Sequence, residues 1–158
     1  MRNRTTLCYI KYEDKWLFIR KERKGDNNEG KYLGIGGHIE EGESPDECIR
    51  REIKEETGLV EDDLTDLRFM GEVDFHSDLY GYEKMYVYQA DLKDIAKDPA
   101  SYECDEGTLM WIDIEGSYKL PLWEGDKKIF DRLRADEHFK MMLKYEGERL
   151  VEYTDEAL

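Results

Sequence analysis

Apolar and polar residues alternate along several short stretches of the chain, which is the pattern of half-buried β-strands. Polar turns at residues 13–15 and 77–81 separate consecutive stretches, so each turn is predicted to join a strand pair. The strands predicted in this way are residues 5–12, 16–20, 68–75, 84–91 and 108–114.

The signals of a helix follow at residue 44. Ser44 is suited to cap the helix, Pro45 to occupy its first position, and Glu47 to complete a capping box with Ser44. Gly58 is suited to end it, because glycine adopts the left-handed conformation common after the last helical residue. A first helix is therefore predicted between residues 45 and 57.

The last third of the chain predicts a helix and a hairpin. Residues 124–135 have helical spacing, with Ile129 and Leu133 on one face. Residues 139–145 and 149–153 read as strands around a Glu-Gly-Glu turn. Strands, a helix, more strands and another helix indicate an α/β fold, in which helices pack on a mixed β-sheet.

Two glycine-containing stretches are predicted to lie outside regular structure. Residues 24–31 combine Gly, Asp and Asn, which is typical of a loop. Residues 34–37 (Gly-Ile-Gly-Gly) are too rich in glycine for a packed strand, and they indicate a close approach of backbone to a neighbour.

Composition narrows the class of protein. With 158 residues, a single domain over 1–158 is expected. A net charge of −15 disfavours nucleic-acid polymers, RNA decapping included, and anionic membranes. The chain has no apolar stretch near the ~18 residues of a membrane span and no signal peptide. Three cysteines without metal-ligand spacing favour a reducing, cytoplasmic compartment.

Residues 37–59 carry the strongest chemical signal. Glu52, Glu55 and Glu56 have i, i+3 and i+4 spacing, so they share one helix face. Three adjacent carboxylates that converge on a cleft require a cation, and oxygen ligands suit Mg²⁺ or Mn²⁺. Arg51 and Glu43 can pair and hold the preceding loop against the helix.

These residues match the Nudix box G-x5-E-x7-R-E-U-x-E-E-x-G-U at every specified position, from Gly37 to Leu59, where U is a bulky aliphatic residue. A chance match is expected about once in 10⁹ windows. The chain thus resembles the Nudix hydrolases, which cut diphosphate linkages with divalent metals. The resemblance implies an α/β/α sandwich. It also implies these catalytic and metal-binding residues: Glu52, Glu55, Glu56, Arg51 and Glu43, with the Gly36 carbonyl also directed at the metal.

Glu55 or Glu56 is expected to contribute most to metal binding, and either can be the general base.

Three downstream segments resemble MutT-type enzymes, which hydrolyse oxidised purine nucleoside triphosphates. In the first, Glu106 would supply a further metal carboxylate, with Glu103 and Asp105 as alternatives. The other two are the segment of residues 120–126 and the closing hairpin.

The segment of residues 120–126 would recognise the base. Trp123 would stack on a nucleobase and Asp126 would hydrogen-bond its edge, although Trp123 can also be a core aromatic under the following helix. Gly37 and His38 complete the substrate-binding set, and for His38 a solvent-facing loop position competes with a phosphate contact. Leu33 departs from the pattern, because it stands where several relatives have a purine-reading Asn. The preference for oxidised guanine is therefore open.

Three functions are compatible with these residues. The leading one is metal-dependent hydrolysis of a nucleoside triphosphate, such as an oxidised purine nucleotide, to a monophosphate and pyrophosphate. The second is a Nudix hydrolase of a nucleotide sugar or dinucleoside polyphosphate. The third is a ligand-binding Nudix domain without turnover, which the intact box disfavours. The partner is in each case a small molecule, and both a monomer and a homodimer remain open.

Overall fold

Within the residues that the structure describes, a mixed sheet of nine strands forms the centre of the molecule. The computed structural model describes residues 3–22, 24–25, 28–101, 104 and 106–158. Its strands are β1 (Asn3–Tyr12), β2 (Lys15–Lys21), β3 (Tyr32–Leu33), β4 (Ile35–His38), β5 (Leu64–Ser77), β6 (Gly81–Leu92), β7 (Gly107–Asp113), β8 (Phe139–Glu146) and β9 (Arg149–Ala157). All the strands predicted from the alternating pattern are present, most of them longer than predicted.

The order of the strands brings distant parts of the chain together. The main path of the sheet is β3-β2-β1-β6-β5-β8-β9, while β4 pairs with β1 and β7 pairs with β2. The β1–β6 and β5–β8 pairs are parallel and the other pairs are antiparallel. The three strand pairs predicted around short turns, β1–β2, β5–β6 and β8–β9, are confirmed.

Helices cover both faces of this sheet. They are α1 (Pro45–Thr57), the short α2 (Ile114–Ser117) and α3 (Asp126–Arg134), with single 3-10 turns at Glu61–Asp63, Ile95–Lys97 and Pro99–Ser101. One apolar core contains α1 residues and the other contains α3 residues. Consecutive β1 residues alternate between these cores, Tyr9 in the α3 core and Cys8 in the α1 core, as the pleat of a strand requires. The predicted α/β/α sandwich is confirmed.

Helix α1 begins and ends where its sequence signals place it. The backbone N–H of Glu47 donates to Ser44 Oγ at 3.1 Å, and the Ser44 N–H donates to Glu47 Oε1 at 2.9 Å. Gly58 follows the last turn with a φ of 76°, and its N–H donates to the Lys54 carbonyl. These bonds satisfy groups that a helix end leaves unpaired, and they fix which α1 residues face the sheet.

The prediction for residues 34–37 was wrong in one respect. Residues 35–38 form strand β4, which pairs antiparallel with β1, from Cys8 opposite Ile35 to Thr5 opposite His38. Gly36 has to be glycine because β1 lies very close to it. A Cβ added at Gly36 would stand 1.9 Å from the Thr6 carbonyl oxygen. The predicted close approach of backbone is thus real, and the neighbour is the sheet itself.

Two further elements differ from the predictions in their bounds. Helix α3 begins at Asp126 and not at residue 124, and the strand predicted to reach Ile114 ends at Asp113, where α2 begins. Part of the predicted loop at 24–31 and the residues Glu103 and Asp105 lie outside the described residues. Within the described part of the chain, no helix is long and apolar enough to cross a membrane.

Candidate active site

The glutamates of α1 differ widely in their exposure. Glu55 is exposed, Glu52 is half-buried, and Glu56 is buried with 5% of its surface exposed. The N–H of Gly36 donates to Glu56 Oε2 at 3.1 Å, so strand β4 fixes one oxygen of the buried carboxylate. The helix spacing therefore places the three glutamates on a shared face, as expected. One edge of this face, at Glu55, is exposed to solvent, and the other edge, at Glu56, is buried.

Arg51 binds this acidic face to the loop that precedes the helix. Its Nε and Nη2 donate to the two carboxylate oxygens of Glu43 at 2.7 and 3.0 Å. Its Nη1 donates to Glu52 Oε1 at 2.8 Å and to Glu55 Oε2 at 3.2 Å, and Nη2 also reaches the His38 carbonyl at 3.1 Å. The expected Arg51–Glu43 pair is present, and the guanidinium lowers the pKa of Glu43 to about 2.

Gly37 leaves room for a carboxylate. A Cβ added there would lie 2.6 Å from Oε1 of Glu52, so any larger residue would displace that side chain. His38, the last residue of β4, is exposed and is not part of a loop as the sequence had suggested. Its carbonyl oxygen, and not its imidazole, makes the contact with Arg51.

The carboxyl groups at this site raise one another's pKa. Burial raises the pKa of Glu56 to about 8, and the negative charges of Glu52 and Glu106 add to the effect. Burial also raises the pKa of Glu52, with a contribution from the charges of Glu55 and Glu106. The positive charge of Lys21 opposes the rise in the pKa of Glu56, and Lys21 Nζ lies 3.2 Å from Glu106 Oε2.

A divalent cation would relieve this repulsion, and carboxylate oxygens are the ligands that Mg²⁺ and Mn²⁺ prefer. Within the described residues, no three His, Cys, Asp or Glu side chains already close on one ion position. Arg51 engages one carboxylate oxygen of Glu52 and one of Glu55. The residues thus fit a divalent cation by the chemistry of their oxygen ligands.

Trp123 is both a core aromatic and part of the cleft. Only 8% of it is exposed. The rings of Phe75, Tyr80 and Tyr145 contact it nearly perpendicular, with centroids 5.1 to 6.2 Å away. Its indole N–H donates to Asn28 Oδ1 at 2.7 Å. The core position expected in one of the two interpretations is therefore confirmed, and the same side chain also lines the cleft.

Asp126, at the start of α3, is 6% exposed. Its Oδ2 has no hydrogen-bond partner among the described residues, and burial raises the pKa of this carboxyl group to about 7. A buried acceptor of this kind is costly unless a ligand donates to it.

One cleft of about 1000 Å³ is lined by both groups of residues. The α1 glutamates and Glu106 line it together with Trp123 and Asp126, and so do Leu33, Gly36, Gly37 and His38. Lys21 and Glu83 also line it, and sequence reasoning missed both. Lys21 is the last residue of an apolar strand, and Glu83 comes just before the predicted start of β6. A charged residue beside a predicted strand was the only sequence feature that could have indicated either position in the cleft.

Comparison with known proteins identifies the family of this chain. Residues 1–133 match the NUDIX domain family. The chain is 30% identical over 138 residues to the uncharacterized Nudix hydrolase YvcI of Bacillus subtilis (strain 168), covering 81% of this chain and 77% of that protein. It is 28% identical over 127 residues to an oxidized purine nucleoside triphosphate hydrolase of Danio rerio, covering 77% and 74%.

Among solved structures, the MutT protein from Bacillus halodurans superposes with a TM-score of 0.78 at 24% identity, over 98% of this chain and 97% of that one. This likeness shows a shared fold. The chain belongs to the Nudix hydrolase family, whose members are pyrophosphohydrolases acting on phosphoric anhydrides and generally need divalent metal ions.

Proposed function

We propose that this enzyme hydrolyses a nucleoside triphosphate to a nucleoside monophosphate and pyrophosphate. The observation that carries the proposal is the single cleft that joins the α1 carboxylates to Trp123 and Asp126. A nucleotide has the matching arrangement, with a polyphosphate that needs cations and a base that needs an apolar wall and polar edge contacts. Dinucleoside polyphosphates and nucleotide sugars remain the alternative substrates.

The carboxylates Glu52, Glu55, Glu56 and Glu106 and the Gly36 carbonyl would hold Mg²⁺, with Mn²⁺ as an alternative. When bound, the metal would supply charge neutralisation at the diphosphate and a more acidic water. Arg51 donates to one oxygen of Glu52 and to one oxygen of Glu55, and Gly37 leaves space for the Glu52 side chain. Because Glu56 is buried, it is better placed than Glu55 to accept a proton away from bulk solvent.

The proposal extends to the whole chain. Residues 134–158 lie beyond the family match, yet β8 pairs with β5 and β9 pairs with β8. These pairs support one domain over 1–158. All three cysteines are free thiols, which supports a reducing, cytoplasmic compartment.

The oxidised-purine assignment depends on Leu33. This residue lines the cleft, and its side chain has no group that donates or accepts a hydrogen bond. Asp126 and Trp123 would then make the remaining contacts to the base, so discrimination between 8-oxo-dGTP and dGTP should stay below about 10³-fold. Measuring kcat/KM for both nucleotides checks this, and a larger ratio would place the reading of the oxidised base elsewhere.

A panel of nucleotides tests the proposed reaction. The enzyme is incubated with Mg²⁺ or Mn²⁺, and the products are separated by chromatography. Monophosphate with pyrophosphate is expected, and orthophosphate as the first product would contradict the proposal. Excess EDTA should stop the reaction, and Glu56→Gln should slow it by more than about 100-fold, while Glu61→Gln, an exposed residue beyond the helix, should not.

A further inference from the structure

Glu83 is a charged residue on the apolar floor of the cleft. Strand β6 places Glu83, Met85 and Val87 on the same face of the sheet, because alternate residues of a strand point the same way. Val87 belongs to the α3 core, and Met85 packs against that core. Glu83 continues this row and lines the cleft.

The aromatic wall of the cleft begins on the neighbouring strand. Phe75 of β5 is the cross-strand partner of Glu83, and directly opposite residues in a sheet have Cβ atoms about 4.5–5.5 Å apart. The Phe75 ring meets Trp123 edge-on with a centroid distance of 5.7 Å. Glu83 therefore stands one strand away from the rings that would receive a base.

Packing alone does not account for this carboxylate. Glu83 is half-buried, and its Oε2 accepts a hydrogen bond from the Thr5 hydroxyl at 3.1 Å. Within the described residues, this is the one hydrogen bond of its carboxylate, and no Lys, Arg or His lies within ion-pair distance. Burial raises the pKa of Glu83, an effect that Thr5 and the more distant His38 oppose. A methionine or leucine would suit the apolar floor at lower cost, so a ligand that donates to Glu83 would explain the charge.

We propose that Glu83 determines base specificity by accepting hydrogen bonds from two adjacent N–H donors on the edge of a base. The inference rests on the proposed nucleotide hydrolysis. Two parallel N–H groups match the two oxygens of a carboxylate, and the ring N–H and amino group of guanine provide such a pair. Adenine presents an amino group beside a ring acceptor, and the acceptor would face the carboxylate with like polarity.

Comparison of dGTP with dITP isolates the contact between Glu83 and the amino group, because hypoxanthine, the base of dITP, lacks this group and otherwise matches guanine. The unmodified enzyme should favour dGTP in kcat/KM by about tenfold or more, since one hydrogen bond to a charged group is lost with dITP. Glu83→Gln should bring the ratio close to one. Glutamine has the same shape, and its oxygen can still accept from Thr5, so folding is not expected to change.

Glu72→Gln is the matched control. Glu72 lies on the adjacent strand β5, pairs with Lys84 and does not line the cleft, so its loss should leave the dGTP/dITP ratio unchanged. Binding of the products dGMP and dIMP, measured by calorimetry, gives a readout that does not depend on turnover. Glu83→Gln should remove the preference for dGMP there as well.

The outcomes separate this inference from the proposed function. If nucleotides are hydrolysed but Glu83→Gln changes neither the dGTP/dITP ratio nor the dGMP preference, the role of Glu83 is refuted and the proposed reaction stands. A ratio near one in the unmodified enzyme refutes it equally. If no triphosphate is hydrolysed but dGMP is preferred through Glu83, the recognition is supported and the proposed reaction fails.

Discussion

The ion pair between Glu43 and Arg51 joins the loop before α1 to the helix that carries the glutamates. Both Glu43 oxygens accept from the guanidinium, at 2.7 and 3.0 Å, and one of them also accepts from the Glu40 N–H at 3.0 Å. Only 14% of the Glu43 side chain is exposed, so solvent screens the pair less than it would a surface pair. We expect Glu43→Gln to destabilise the enzyme in a pH-dependent way.

The magnitude follows from the pKa of Glu43. Its fall from 4.5 to about 2 corresponds to about 3 kcal/mol of preferential stabilisation of the ionised carboxylate in the folded state. Glutamine keeps one acceptor oxygen, so the expected loss in the free energy of unfolding at pH 7 is about 2 kcal/mol. For a chain of this length, that corresponds to a fall of about 4–8 °C in Tm.

The sign of the pH dependence follows from the lowered pKa. In the unfolded chain Glu43 titrates near 4.5 and in the folded protein near 2, so its stabilising effect is present above about pH 5 and is lost as the pH falls toward 2. Glutamine does not ionise. The difference between Glu43→Gln and the unmodified enzyme should therefore shrink to less than half at pH 3.

Urea unfolding at pH 7 and pH 3 measures this difference, with EDTA present so that bound metal does not contribute to stability. Glu40→Gln is the control, because Glu40 lies 3.1 Å from the same Nε but its side chain is 64% exposed. It should cost less than about 1 kcal/mol. Equal losses for the two variants, or a Glu43→Gln loss as large at pH 3 as at pH 7, would refute the reasoning.

Three further predictions concern the cleft. Burial raises the pKa of Asp126 from 3.8 to about 7. Asp126→Asn should therefore become more stable relative to the unmodified enzyme as the pH rises from about 4 to 7, and this gain should level off above pH 7. Thermal unfolding across this pH range measures the gain. Gly36→Ala should cost more than about 3 kcal/mol in urea unfolding, since its Cβ would stand 1.9 Å from the Thr6 carbonyl oxygen. Gly37→Ala should instead fold but hydrolyse nucleotide at least about tenfold more slowly, because its methyl group would push on the Glu52 side chain.

Local rules were sufficient where local bonds decide the structure. The capping box of Ser44 and Glu47 and the left-handed Gly58 were predictable because each involves residues within four positions of its partner. The same holds for the spacing that places Glu52, Glu55 and Glu56 on one face. The hairpins were predictable because a short polar turn brings the strands on either side next to each other, where they pair antiparallel.

Long-range contacts decided what the sequence did not predict. Strand β4 is stabilised by its pairing with β1, a partner about 30 residues away, and this pairing overrides the low strand propensity of Gly36 and Gly37. Glu83 joins the cleft only because β6 lies beside both β1 and β5. Neither neighbour can be recognised from a window around the residue itself.

Acidic residues that line the base side of the cleft differ from Glu43 in whether a cation pairs with them. Arg51 meets both oxygens of Glu43, and the pKa of that residue falls. Asp126 and Glu83 are buried or half-buried without a cation at ion-pair distance within the described residues, and their pKa values rise. A protein with 39 acidic and 24 basic residues has to leave many carboxylates without a cation partner, and most of these can stay in solvent at little cost. Carboxyl groups that are instead withdrawn from water inside a cleft cost stability, so their position is best explained by a ligand that donates to them.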